Sequence, residues 1–104
     1  MNQIRIRTCK GTRFVKPENI IRVEANSSYC KIFFDNEYPL TVAKLLRWFE
    51  ENLPQQSFCR IHKTHLVNRH FITAVSEDHK LTLASGEQLQ VSRRNKQAFQ
   101  QLVA

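Results

Sequence analysis

Ile20-Ile21-Arg22-Val23-Glu24-Ala25-Asn26-Ser27-Ser28-Tyr29-Cys30-Lys31-Ile32-Phe33-Phe34-Asp35 is the stretch on which the fold turns. Ile20 to Ala25 is rich in apolar and β-branched residues and reads as a buried strand. Asn26-Ser27-Ser28 is a small polar turn. From Tyr29 to Asp35 the chain alternates, with Cys30, Ile32 and Phe34 on one face and Tyr29, Lys31 and Phe33 on the other. The same pattern extends upstream. Ile4, Ile6 and Thr8 alternate with Arg5 and Arg7, Lys10-Gly11 makes a hairpin turn, and Thr12 to Lys16 returns. Pro17-Glu18-Asn19 is a short turn into the central pair. Downstream, Asp35-Asn36 turns the chain into a short strand at Tyr38 to Leu40.

The period then changes. Val42, Leu45, Leu46, Phe49 and Leu53 fall at helical spacing, with Thr41 as N-cap and Pro54 as terminator. After this single clear helix come a strand at Phe58 to Ile61, a loop, and a strand at Phe71 to Val75. Glu77-Asp78-His79 turns the chain. Leu81 and Leu83 alternate with Lys80 and Thr82, Ser85-Gly86 turns it again, and Leu89 and Val91 alternate with Gln88 and Gln90. A terminal helical turn or two holds Ala98, Phe99, Leu102 and Val103. Strands, helix, strands, with no repeated βαβ unit, predict a mainly β fold of antiparallel sheets.

A length of 104 residues predicts one domain, spanning residues 1–104. Lys and Arg number 16 against 9 acids, a net charge of +7. The charge is clustered. Phe58-Cys59-Arg60-Ile61-His62-Lys63-Thr64-His65-Leu66-Val67-Asn68-Arg69 contains no acid, and neither does Val91 to Ala104. Such a surface suits a polyanion, and nucleic acid is the first partner to weigh. Cys9, Cys30 and Cys59 are an odd, widely spaced set, so reduced thiols and a cytoplasmic location are expected. No apolar run approaches the length of a membrane span.

Three loops carry candidate chemistry. His62, Lys63 and Thr64 offer three kinds of donor, and Lys63 and Thr64 suit a phosphate oxygen or a guanine edge. Ser92-Arg93-Arg94-Asn95-Lys96 ends the last strand. Ser92 can cap a helix, yet cations in a first helical turn oppose the helix dipole by about 0.3–1 kcal/mol each. Either a bound phosphate compensates them or the helix begins later. Asn26, Ser27 and Ser28 form the third loop, beside Tyr29 and Lys31.

Four segments resemble the LytTR DNA-binding domain of bacterial transcription regulators: Ile20 to Ala25, Tyr29 to Ile32, Phe58 to Asn68 and Leu89 to Arg94. The central run is specific to that family, and the order and spacing hold over nearly the whole chain. The resemblance implies small antiparallel sheets in an elongated β-β-β arrangement with little helix. It implies sequence-specific reading of double-stranded DNA by loops in successive grooves, with two copies on repeated half-sites. The loops it assigns are those before Tyr29, after Ile61 and after Val91. Family members join this domain to an N-terminal receiver or a membrane segment, or work with a sensor kinase. This chain shows neither, so it is expected to be an output domain or a freestanding regulator. The family often has arginine where this chain has Lys63, and lysine lacks the planar fork of arginine.

Other classes fare less well. Cys59, His62, His65 and His70 are metal-ligand types, but Cys59 sits in a strand pattern and no paired knuckle accompanies it, so no metal is expected. Nor is a cofactor expected. Convergent acids or a phosphate loop, which a small enzyme needs, are absent from the sequence pattern, so no enzymatic activity is expected. An RNA- or single-strand-binding β module is the alternative, with Tyr29, Phe33 and Phe34 as a stacking platform. Adjacent Phe33 and Phe34 must face opposite ways, which sends one of them into the core.

Overall fold

A computed structural model describes residues 3–103. β1 (Ile4–Thr8) and β2 (Gly11–Val15) form a two-stranded antiparallel hairpin. A 3₁₀ turn at Pro17–Asn19 leads into β3 (Ile20–Asn26), which pairs with β4 (Tyr29–Phe34). β5 (Leu40–Val42) adds to β4, and α1 (Leu46–Asn52) follows. β6 (Phe58–His62) and β7 (His65–Asn68) form the next hairpin, and β7 pairs with β3. The central sheet is therefore β5-β4-β3-β7-β6, antiparallel throughout. A third sheet, β10-β9-β8, is built from β8 (Ile72–Val75), β9 (Lys80–Leu83) and β10 (Gln88–Gln90). The chain ends on a 3₁₀ turn at Arg93–Asn95 and α2 (Lys96–Val103).

The central sheet is covered on both faces, which makes the molecule a stack of 43 × 25 × 22 Å. One face meets Ile6 and Val15 of the first hairpin and Leu46, Phe49 and Leu53 around α1, contributing Ile20, Val23, Cys30, Ile32 and Leu66. The other face sends Ile21, Cys59, Ile61 and Val67 against Leu81 and Leu83 of the third sheet, Val91 and Phe99 of α2. This is the elongated arrangement of small antiparallel sheets expected from the sequence. Two register shifts serve the double burial. One lies between Ile20 and Arg22, the other between Arg60 and His62. Each is a bulge whose extra residue interrupts the strict alternation, so that at the first one consecutive Ile21 and Arg22 turn to the same face. Arg22 is buried with Ile21, and its guanidinium is held by Glu87 at 2.9 and 2.8 Å, by Glu24 at 2.7 Å, and by stacking on Phe33 at 3.9 Å.

Several expectations need correcting. The helix starts at Leu46, not after Thr41, and neither Thr41 nor any other side chain caps it. Thr41 and Val42 belong to β5, where Val42 pairs with Cys30 and is buried, while Leu45 stands 63% exposed. Pairing with β4 outweighs the helical spacing. The short strand expected at Tyr38 to Leu40 lies instead at Leu40–Val42, and Tyr38 is 91% exposed. β7 was not expected at all, although it joins β6 to the sheet's centre. Phe71 belongs to a 3₁₀ turn at Arg69–Phe71, and β8 begins at Ile72. Among the described residues, no helix is long and apolar enough to cross a membrane.

Candidate nucleic-acid interface

The β6–β7 loop is held by its own side chains. His62 Nδ1 lies 2.9 Å from Thr64 Oγ1 and accepts from the Thr64 amide at 3.2 Å. The Thr64 carbonyl accepts from the Ala25 amide at 2.8 Å, which fastens the loop to the end of β3. Lys63 stands exposed at the tip. The β3–β4 turn is closed by Ser27 in the left-handed region, at φ 57°. The segment after β10 reaches the β6–β7 loop through one backbone bond, Ser92 N–H to the Ile61 carbonyl at 2.7 Å. Arg93 and Arg94 lie in the 3₁₀ turn and are exposed, and α2 begins only at Lys96. Of the two expected solutions to the dipole conflict, the chain shows the later helix start. Ser92 precedes the turn without a side-chain cap bond, and its carbonyl accepts from the Asn95 amide at 3.0 Å.

Two concave surfaces meet along this edge. One, of about 540 Å³, is lined by Glu50, Arg60, His62, Lys63, Ser92, Arg94 and Asn95. The other includes Ser27, Tyr29, Arg47, Arg60 and Lys63. Arg60 and Lys63 belong to both, so the three loops form one continuous edge. Asn26 and Ser28 are exposed in the β3–β4 turn next to it. Lys31 points with Phe33 along the other face of β4, its Nζ 5.5 Å from that ring, and lines neither concavity. Arg93 and Lys96 do not line them either.

Charge is distributed unevenly over this edge. The salt bridges among the described residues are Arg13–Glu37, Arg22–Glu24, Arg22–Glu87 and Arg60–Glu50. Lys63, Arg93, Arg94 and Lys96 take part in none of them. The acids near the loops are held by Arg22 and Arg60, which leaves the loop cations free for a polyanion. His65, behind the loop, has its pKa lowered by burial, and its Nδ1 is buried without a partner. Burial also raises the Cys30 and Cys59 thiols, so both side chains behave as core residues. The Cys59, His62, His65 and His70 set does not converge: Cys59 enters the second core, while His70 lies beside Ser57.

The LytTR DNA-binding domain family model matches residues 10–104. The chain belongs to the LytTR DNA-binding domain family. A solved structure of a LytTr DNA-binding domain, from a protein of Bacillus cereus described as a methyl-accepting/DNA response regulator, is similar throughout. It shares 26% sequence identity at a TM-score of 0.84, covering 100% of this chain and 98% of that one. No curated protein sequence matches. As a LytTR domain, the chain is a DNA-binding, transcription-regulating module with DNA as its partner.

Sequence reasoning missed three charged residues of this edge: Arg60, Glu50 and Arg47. For Arg60 a signal existed, namely one charge in an otherwise apolar strand immediately before a polar loop. Glu50 and Arg47 reach the edge only through the packing of α1.

Proposed function

We propose that this LytTR domain, folding as a single unit over residues 1–104, reads double-stranded DNA through three loops set in successive grooves. Arg94 and Arg93 are assigned to base or phosphate contact at one groove, supported by Ser92 and Asn95. Lys63, flanked by His62 and Thr64, is assigned to the next. Asn26, Ser27, Ser28 and Tyr29 border the same edge, and Lys31 and Lys96 hold phosphates on its flanks. Two copies occupy repeated half-sites in the cytoplasm, under the control of a receiver domain or sensor kinase. The observation that carries the reading is the Ser92–Ile61 backbone bond, which sets two cationic segments side by side, and among the described residues Lys63, Arg93 and Arg94 join no salt bridge.

The alternative, stacking of single-stranded nucleic acid, loses its platform. Phe34 is buried, the Arg22 guanidinium covers Phe33, and of the three aromatics Tyr29 alone is open. A binding selection from random duplex DNA tests the proposal. Enrichment of a repeated motif is expected. Arg94→Ala should then reduce preference at one base position by about 1–3 kcal/mol if the contact is bidentate to guanine. No enrichment, together with tight single-strand or RNA binding, overturns the reading.

A further inference from the structure

Arg60 is the least typical side chain on the DNA edge. It is one of three arginines there, with Arg94 and Arg47, and three of its five N–H donors are engaged, one on each nitrogen. Its Nε donates to the His62 carbonyl at 3.0 Å and its Nη2 to the Lys63 carbonyl at 2.7 Å. Its Nη1 donates to Glu50 Oε1 at 2.9 Å. The guanidinium is thus a planar clamp between α1 and two successive carbonyls, that of His62 at the end of β6 and that of Lys63 in the loop. In β6, Arg60 pairs with Leu66, which places it on the α1 side of the sheet, and the bulge follows at once. Among the described residues, Glu50 is the only acid lining the cationic concavity. A phosphate taking the bidentate fork of Arg60 would compete with that carboxylate and disturb the bonds to the His62 and Lys63 carbonyls.

We infer that Arg60 is a positioning residue and not a DNA contact: with Glu50 as its anchor, it fixes the backbone at His62 and Lys63 and so sets where Lys63 reaches the duplex. The role of lysine makes the clamp necessary. Lys63 has a flexible stem and no planar fork, so the direction in which it points must come from its backbone. Glu50 fills a second role by neutralising a cation that would otherwise add sequence-blind attraction for phosphate. The part concerning DNA rests on the proposed reading by the Lys63 loop. The part concerning the loop's order does not.

The test therefore has two readouts. In the free protein, backbone ¹⁵N order parameters at His62, Lys63 and Thr64 should fall in Arg60→Met, with the rest of β6 and β7 unchanged. Unchanged order there overturns the clamp whatever the protein binds. On the duplex recovered by selection, Arg60→Met should weaken the base preference that Lys63→Ala weakens, by about tenfold. The double variant should bind no worse than the weaker single, and the salt slope should match that of Lys63→Ala. Additive losses, with the slope lowered by a further ~0.9, would make Arg60 a phosphate contact in its own right and refute the assignment. Glu50→Ala, an exposed position that leaves both cores intact, should raise affinity for random DNA while eroding the same base preference. An equal gain on every sequence would strip Glu50 of its anchoring part.

Discussion

Phe99→Ala should separate the helix α2 from the rest of the domain. Phe99 is 1% exposed and is the one fully buried side chain of an eight-residue helix, with Leu102 partly buried beside it. Helices this short do not persist alone in water, so α2 exists because Phe99 docks it. Emptying a core of a phenylalanine side chain costs about 3–5 kcal/mol when the cavity stays open. Arg69, which donates to the Leu102 carbonyl at 2.8 Å, is exposed and contributes little to offset that loss. The helix should undock before the sheets melt. Urea unfolding should show a lower midpoint and a smaller slope, since α2 is already exposed in the folded state. Amides of residues 96–103 should lose hydrogen-exchange protection while β3 and β7 keep theirs. DNA affinity should fall with them, because Arg94 precedes the freed helix. A loss below about 1 kcal/mol with α2 still protected would refute the claim that Phe99 burial holds it. Full undocking without a change in DNA affinity would remove residues 92–96 from the interface.

Arg22→Ala removes a buried guanidinium from Glu87, Glu24 and Phe33, and thermal unfolding should report a loss of about 2–4 kcal/mol; the two carboxylates, half open to water, rehydrate and keep it from being larger. A loss under about 0.5 kcal/mol would show that the network contributes nothing. The Arg22 side-chain bond also lowers the Glu87 pKa below its usual 4.5. A depressed carboxyl stabilises above its unfolded pKa and loses that contribution as pH falls through the folded value, so wild type should weaken more steeply below pH 4.5 than Glu87→Gln. Parallel acid titrations would discount the pair. Ser27→Val should cost about 1–2 kcal/mol by thermal melting, since a β-branched residue resists the left-handed conformation at φ 57°; Ser27→Gly should be neutral or better. Lys96→Ala should weaken binding to all sequences alike and lower the salt slope by ~0.9 if Lys96 holds one phosphate; a change confined to one base variant would reassign it.

The hairpins were legible because half-buried strands alternate. β1, β2, β4, β9 and β10 declare themselves through period two. β7 did not, for a physical reason: the central sheet is covered on both faces, so Leu66, Val67 and Asn68 are all buried and alternation disappears. The start of α1 misled because Val42 and Leu45 fall in phase with Leu46 and Phe49, although Val42 is buried by pairing with β4 and Leu45 is not buried. The polar loops picked out by local composition lie along one edge of the fold, where Arg60 and Lys63 line both concavities. The clamp on the Lys63 loop was invisible because Arg60 and Glu50 are brought together only when α1 packs against β6. Asn68 is a similar case, as its buried amide donates to the Ile20 carbonyl at 2.9 Å from a strand away.

The bulge at Ile21 bears on how the domain tolerates a change in chain length. Removing one residue from a strand normally turns every later side chain to the opposite face. Here Ile20 and Val23 enter one core while Ile21 and Arg22 enter the other, so Ile21 is the supernumerary residue. Its deletion would leave Ile20, Arg22 and Val23 alternating as a regular strand and would sacrifice one side chain of the second core. Deleting Glu24 has no such remedy, because Ala25 and Asn26 would swap faces and the turn at Ser27 would be carried round with them. Within a few residues, β3 thus contains both a position where a codon can be lost and one where it cannot.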